Sequence, residues 1–420
     1  MDASGSSNAR IVAMEGAPER TDYWVGTGIS VVGAVIFFFT TQATQQHFDY
    51  TARIASALVE GHVGLSKPPP SWLNEMVPVN GHYYSVFPLG AVFSMLPVAV
   101  LQKANLIQEF PGRPLAAVIA GLSIWFFFRL SALGPASRSR RILLSLALVF
   151  GTWTWCNLGF GGSWQIALGL ALLGEVATLY FILVGFQPLV AGAFYALAIG
   201  NRTELAVCFP IFIYFLGRQI APDAIGWKNL AEQARKNVRP FAHFLIFPAL
   251  LGVLTAAYNY VRFRSIFDFG YSHIPNVLQE PWYQHGLFSL HSIPWNAYKM
   301  LAEGFGDLPD FPFIHPYAFG CSIFLASPFL FLLFREGGRH KVVAWIAIGL
   351  LTTVLWMHGN PGGWQFSYRY AMVMLPWMFL LLLGNGPSKV SAIELSLLIV
   401  SMAINAVATY QFLWTNQIHP

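Results

Sequence analysis

Long apolar runs alternate with short polar ones along nearly the whole chain. A bilayer-crossing helix needs about 20 predominantly apolar residues. The pattern predicts spans at 23–41, 83–102, 114–130, 142–155, 165–185, 189–217 (one span or two), 241–260, 317–334, 342–357, 370–384 and 390–413. That makes about eleven or twelve transmembrane helices. Three stretches break the rhythm: 42–82, 261–316 and 358–369. In the first of them, FDYTARIASALVE places Tyr50, Ile54 and Leu58 four positions apart, which predicts an amphipathic helix on the membrane surface rather than a span. The following SKPPP stiffens the chain beside Lys67, and NGHYYSVFPLG supplies a turn, aromatic residues and an entry to the next span.

Composition agrees with this reading. Of 420 residues, 55% are hydrophobic and 10% charged, against about 25% charged in a soluble domain. The fold class expected is all-α: one polytopic membrane domain over residues 23–416, after a polar cytoplasmic N-terminus at 1–22, with no separate soluble domain. The first 22 residues precede an apolar segment that lacks a small-residue cleavage site, so the first helix is expected to be retained. Cys156, Cys208 and Cys321 have no metal-ligand spacing and read as packing residues. The net charge of +5 comes largely from basic residues in short loops, a topology signal that gives no ground for a nucleic-acid partner.

Arg218, Lys228, Arg235, Lys236 and Arg239 in loop 218–240, and Arg335, Arg339 and Lys341 in loop 335–341, place those loops in the cytoplasm. The three irregular stretches then share the outward face. Loop 131–141 conflicts with this scheme. Its Arg138, Arg140 and Arg141 belong inside, whereas alternation from the first span puts them outside. Either 83–102 is a short or re-entrant element, or the loop breaks the rule.

Asp49, at the start of the predicted surface helix, reads on its own as a helix N-cap with Arg53 one turn on. Its surroundings suggest more. An acid soon after the first span, a surface helix ending in EGH and the GHYYSVFPLG box resemble the GT-C superfamily of integral-membrane glycosyltransferases, such as the protein O-mannosyltransferases, aminoarabinose transferases and arabinofuranosyltransferases. FGTWTWCNLGFGGSWQIALGLALL, LVAGAFYALAIGNRTELAVCFP, YNYVRFRSIFDFGYSHIP and GGWQFSYRYAMVMLPWMFLLL are similar to further segments of that superfamily, in its order.

The resemblance implies an inverting transfer of a sugar from a polyprenyl-phosphate donor to an acceptor hydroxyl. Asp49 takes the role of general base by that resemblance, and one carboxylate suffices for the proton. Phosphate departure needs positive charge, for which Lys67, Arg262, Arg264 and Arg369 are the donor-phosphate candidates. Lys67-Pro68 is similar to the phosphate-binding lysine of the aminoarabinose transferases, at a different spacing from the tyrosine box. His47, Tyr83, Tyr84, Tyr271 and Tyr368 are expected to line the substrate. The implied partners are the lipid-linked donor, a glycolipid, polysaccharide or protein acceptor, and the bilayer. The implied location is the inner (plasma) membrane, with the active site facing the periplasm or exterior.

Histidines in the outward stretches lack zinc-site spacing, so no metal or other cofactor is indicated. Arg202 and Glu204, in the GNRTE interruption, read as a structural joint. Glu175 and Glu394, acids inside or beside apolar spans, together with Glu303, Asp307 and Asp310 in the outward stretch, sustain an alternative reading as a secondary transporter or lipid-sugar flippase.

Overall fold

Helix propensity and apolar side chains around the full circumference give helices over most of the hydrophobic runs; the predicted span 317–334 is instead a short helix, Ile323–Ala326, followed by the 3-10 stretch Pro328–Phe334. The computed structural model describes residues 20–42, 47–222, 232, 235–309 and 312–418, and it is mostly helical. Among the described residues, six helices are long and apolar enough to cross a membrane: Thr21–Thr40, Gly112–Leu133, Ser163–Leu183, Thr203–Ile220, Val238–Phe263 and Ala392–Trp414. Leu89–Lys103, Pro188–Asn201, Lys341–Met357 and Arg369–Gly384 are shorter apolar helical segments. Ser163–Leu183 is buried almost throughout and forms the centre of the bundle, while Val238–Phe263 is scarcely buried and presents its apolar surface outward.

Small residues set the closest helix contacts, as they do where helices associate by van der Waals packing. A Cβ on Gly121 would come within 2.9 Å of the Ala34 Cβ, and Ser30 Oγ donates to the Gly121 carbonyl, so Gly112–Leu130 lies directly on the first helix. The pair is antiparallel: Arg113 Nε donates to the Phe38 carbonyl at 2.6 Å near one end, and Gly26 meets the Phe128 ring near the other. Gly174 packs on the Phe194 and Ala198 backbone in the same way, joining Ser163–Leu183 to Pro188–Asn201.

These contacts resolve the conflict over loop 131–141. Arg138 and Arg141 form ion pairs with Asp22, at 2.9 and 2.5 Å, so the loop lies at the N-terminal end of the first helix. Segment 83–102 makes this possible because it dips and returns. It forms two short helices, Leu89–Phe93 and Leu96–Lys103, and Lys103 Nζ donates back to the Val59 carbonyl at 3.0 Å. The close approach of Gly90 to the Gly200 backbone lets this short element tuck into the bundle. Run 189–217 is two elements, because Arg202 takes an extended conformation and the chain reverses there. Gln219 then reaches the Leu183 carbonyl at the far end of the central helix.

At the Asp22 end, Arg140 and Glu394 make a buried ion pair at 2.9 Å. Within the bundle, the Trp377 indole donates to Glu175 at 2.6 Å. Of the acids in the transporter reading, Glu175 and Glu394 therefore have partners, Glu303 pairs with Lys299, and Asp310 lies outside the described residues. The three cysteines are free and buried.

At the opposite end, marked by Thr40, the irregular stretches meet. Helix Tyr50–Val59 buries Tyr50 and Ile54 fully, with Leu58 partly buried against the core. The Asn80-Gly81 pair, both residues with positive φ (50° and 79°), closes an antiparallel hairpin of Met76–Val79 with His82–Ser85, in which Val77 pairs with Tyr84. A second short hairpin joins Phe305–Asp307 to Ile314–Pro316. The sequence reading anticipated the turn but neither pair of strands. Residues 261–316 bind 358–369 through Gly359 N–H to the Leu287 carbonyl (2.9 Å) and through Asn296 Nδ2 to the Trp356 and His358 carbonyls (3.1 and 2.8 Å). Tyr258 Oη donates to the Val63 carbonyl at 2.9 Å, tying the first stretch to the helix that leads into the second.

Candidate functional site

Where the three stretches converge they enclose a cavity of about 1360 Å³. Small-molecule sites are typically about 300–1,000 Å³, so this one has room for two reactants. Its lining combines apolar side chains, Phe160, Phe267, Phe269, Phe288, Val354 and Leu355, with Glu75, Asp268 and the groups around Arg202 and Arg369.

Glu75 lies just before the first hairpin, and its Oε2 accepts a 2.8 Å hydrogen bond from Trp164 Nε1. Trp164 is fixed by the rings of Phe48, Tyr50 and Phe87, at centroid distances of 5.3, 4.9 and 6.2 Å. Tyr50 in turn donates to Asn74 Oδ1 at 3.0 Å, so the surface helix positions the residue beside Glu75. Burial raises the Glu75 carboxyl above the ordinary carboxylate range; the indole N–H and the charge of Arg369 oppose this without cancelling it, and Glu280 adds to it.

Arg369 begins the 3-10 turn Arg369–Met374 and is buried, 7% exposed. Its guanidinium is held only by long contacts, 3.4 Å to the Trp364 carbonyl and 3.4 Å to Tyr370 Oη, and its Nε has no partner. An unsatisfied buried donor is costly and marks a place where a ligand acceptor binds favourably. The Tyr370 ring lies between two cations, 5.1 Å from Arg369 and 4.8 Å from Arg202. Arg202 pairs with Glu204 at 2.6 Å. The break in the apolar run is thus a paired joint, and it also lines the cavity.

His358 also lines the cavity. Its Nδ1 lies 2.8 Å from the Asn360 carbonyl, which assigns the proton to that nitrogen, and burial lowers its pKa and keeps the ring neutral. Asp268 is bound by His273 and by the Gly270 amide, each at 2.7 Å. Tyr271 shares a 2.7 Å hydroxyl–hydroxyl bond with Tyr283.

No family model, curated protein or solved structure matches the chain. The site must therefore be read from its own chemistry.

Of the residues singled out in the sequence, His47, Tyr271 and Arg369 line this cavity. Asp49 lines a smaller one of about 470 Å³, with Arg53, Glu60, His62 and Gln102 among its neighbours; His47 borders both. Asp49 Oδ1 accepts from Arg53 Nε at 2.8 Å and makes no side-chain cap bond. Lys67 is exposed and borders neither cavity. Arg262 is buried between the Tyr258 and Phe263 rings and donates to the Ser85 carbonyl at 2.8 Å, holding the hairpin to its helix. Arg264 is an exposed left-handed C-cap beside Tyr260. Tyr83 and Tyr84 belong to the hairpin; Tyr84 packs on Phe263. Tyr368 is buried in a hydrogen bond to Asn296 at 2.9 Å. Glu75, Trp164, His358 and Tyr370 were not singled out for chemistry, and the joint Arg202–Glu204 was assigned to structure alone. Among the described residues, no group of three or more His, Cys, Asp or Glu side chains is arranged to hold a metal ion.

Proposed function

We propose that this chain is a membrane-embedded transferase that moves a sugar from a polyprenyl-phosphate donor to an acceptor hydroxyl within the larger cavity. The observation that carries the proposal is Arg369, a buried cation held only by long contacts, which lines a cavity that also carries a set of apolar side chains. That combination suits an amphiphile with an anionic head and a hydrocarbon tail. Aromatic faces at Trp164, Tyr271 and Tyr370 suit the C–H faces of a sugar. Phe267 and Phe288, 82% and 58% exposed, offer an apolar rim for a lipid chain arriving from the bilayer.

The chemistry follows from the groups present. As the bond between the anomeric carbon and the phosphate oxygen breaks, negative charge grows on the phosphate, and a prepositioned guanidinium stabilises that charge more than it stabilises the ground state. Arg369 is placed for this role, with the Arg202–Glu204 pair next to it across Tyr370. The short-loop arginines 138, 140 and 141 at the far end support a cytoplasmic N-terminus and a cavity on the extracytoplasmic side of the plasma membrane. The reading agrees with the GT-C resemblance of the sequence.

The test is release of free polyprenyl phosphate by the purified protein in liposomes, given a panel of polyprenyl-phosphate sugars and crude membrane acceptors. Release by wild type, lost in Arg369→Gln, supports the proposal. Absence of release with every donor from a folded protein overturns it and turns attention to flux of the same lipids across the liposome.

A further inference from the structure

A displacement of phosphate by a hydroxyl needs a base in the same space as the leaving group, because a proton acceptor must come within about 2.6–3.2 Å of the proton it takes. The larger cavity offers Glu75, Glu204 and Asp268. Glu204 is neutralised by Arg202 at 2.6 Å, and Asp268 is bound at 2.7 Å by both His273 and an amide. Glu75 differs. Its side-chain hydrogen bond comes from a neutral indole to Oε2, it has no ion-pair partner among the described residues, and it lines the cavity. Asp49, the acid that the resemblance favours, lies in the adjoining smaller cavity with Arg53 on its Oδ1.

We infer that Glu75 is the catalytic base, with Trp164 as the positioning residue that holds its carboxylate toward the cavity. This inference rests on the transferase reading above. In the step, the acceptor O–H proton passes to the Glu75 carboxylate and the acceptor oxygen forms its bond to the anomeric carbon. The bond from that carbon to the phosphate oxygen breaks, and its electron pair leaves on the phosphate beside Arg369. Glu75 then returns its proton to water. Burial raises the proton affinity of Glu75, which makes it a stronger base than an exposed carboxylate.

The experiment measures polyprenyl phosphate release against pH, in liposomes, for wild type, Glu75→Gln, Trp164→Phe and Asp49→Asn, together with binding of polyprenyl phosphate by each. Glu75→Gln should bind the lipid phosphate as wild type does and lose about 10²-fold or more in release. Trp164→Phe removes a hydrogen bond to the charged carboxylate, so the carboxyl pKa rises and the acid limb of the rate profile moves to higher pH. A residue with only a packing role would lower the rate and leave that limb in place. Release by Glu75→Gln within threefold of wild type, an unmoved limb in Trp164→Phe, or a larger loss in Asp49→Asn than in Glu75→Gln overturns the assignment while leaving the transferase reading intact. Failure of wild type to release phosphate from any donor overturns both.

Discussion

Removing the Glu394 carboxylate should destabilise the protein without touching the cavity. Glu394 is wholly buried, Arg140 is 1% exposed, and three contacts of 2.9–3.2 Å join them. The guanidinium also donates to the Leu382 carbonyl at 2.7 Å, while its Nη1 has no partner. A Cβ on Gly386 would lie 1.9 Å from Nη2, so the cation fills its space and has no room to turn toward water. In Glu394→Gln the positive charge stays in place with one carbonyl and an amide for company. Breaking a buried pair from one side costs about 3–5 kcal/mol. The double variant Arg140→Met/Glu394→Leu should recover most of that loss, because replacing both members by apolar groups of similar volume is often neutral. Unfolding free energies in mixed micelles for Arg140→Met, Glu394→Leu and the double variant give the coupling directly, with Glu394→Gln measured beside them. A loss below about 1 kcal/mol in Glu394→Gln, the range of an exposed pair, would refute the reasoning. So would retained stability combined with a loss of lipid flux, since that is the behaviour of a transport acid.

Arg369→Lys should lower transfer by about 10²-fold, because an ammonium cannot reproduce the planar fork of a guanidinium around a phosphate; steady-state release rates check it. Gly90→Val should destabilise by about 1–3 kcal/mol, since its first carbon already lies 2.4 Å from the Gly200 Cα, and thermal unfolding in detergent reads the loss. Arg262→Met should weaken the attachment of the hairpin to its helix, seen as faster hydrogen exchange across residues 76–85, while affinity for polyprenyl phosphate stays within threefold of wild type.

Most of the helices were legible because burial in a bilayer demands long apolar runs and leaves little freedom in where they lie. Segment 83–102 misled for a physical reason. It is apolar enough to cross, yet Ser94 and Met95 interrupt it as a turn and Lys103 anchors its end beside Val59, so it serves the core near the cavity instead of spanning. The arginines of loop 131–141 lie at the N-terminal end of the first helix, and their partner Asp22, more than a hundred residues away, is invisible to any local pattern. The Asn-Gly turn was readable from local chemistry, whereas the strands beside it are short and take their register from that turn.

The candidate site was harder to read because its members come from every part of the chain. Arg369 and Tyr271 were accessible to a sequence argument since each lies in an irregular stretch next to an apolar run. Glu75 was passed over because nothing near it in sequence marks it. Its partner Trp164 stands at the start of the central helix, 89 positions on, where the Ser163 amide also bonds to the Phe48 carbonyl at 2.7 Å and ties that helix to the first stretch. Asp49 carried the opposite signal. It has a helix start and an arginine one turn away, the setting in which a carboxylate is most easily noticed, and the same arginine is what occupies it in the fold. A local pattern detects acids that have partners close in sequence, and such partners compete for the lone pairs that a base must keep open. The carboxylate best suited to take a proton is therefore one whose local sequence says least about it, and at this cavity Glu75 meets that condition.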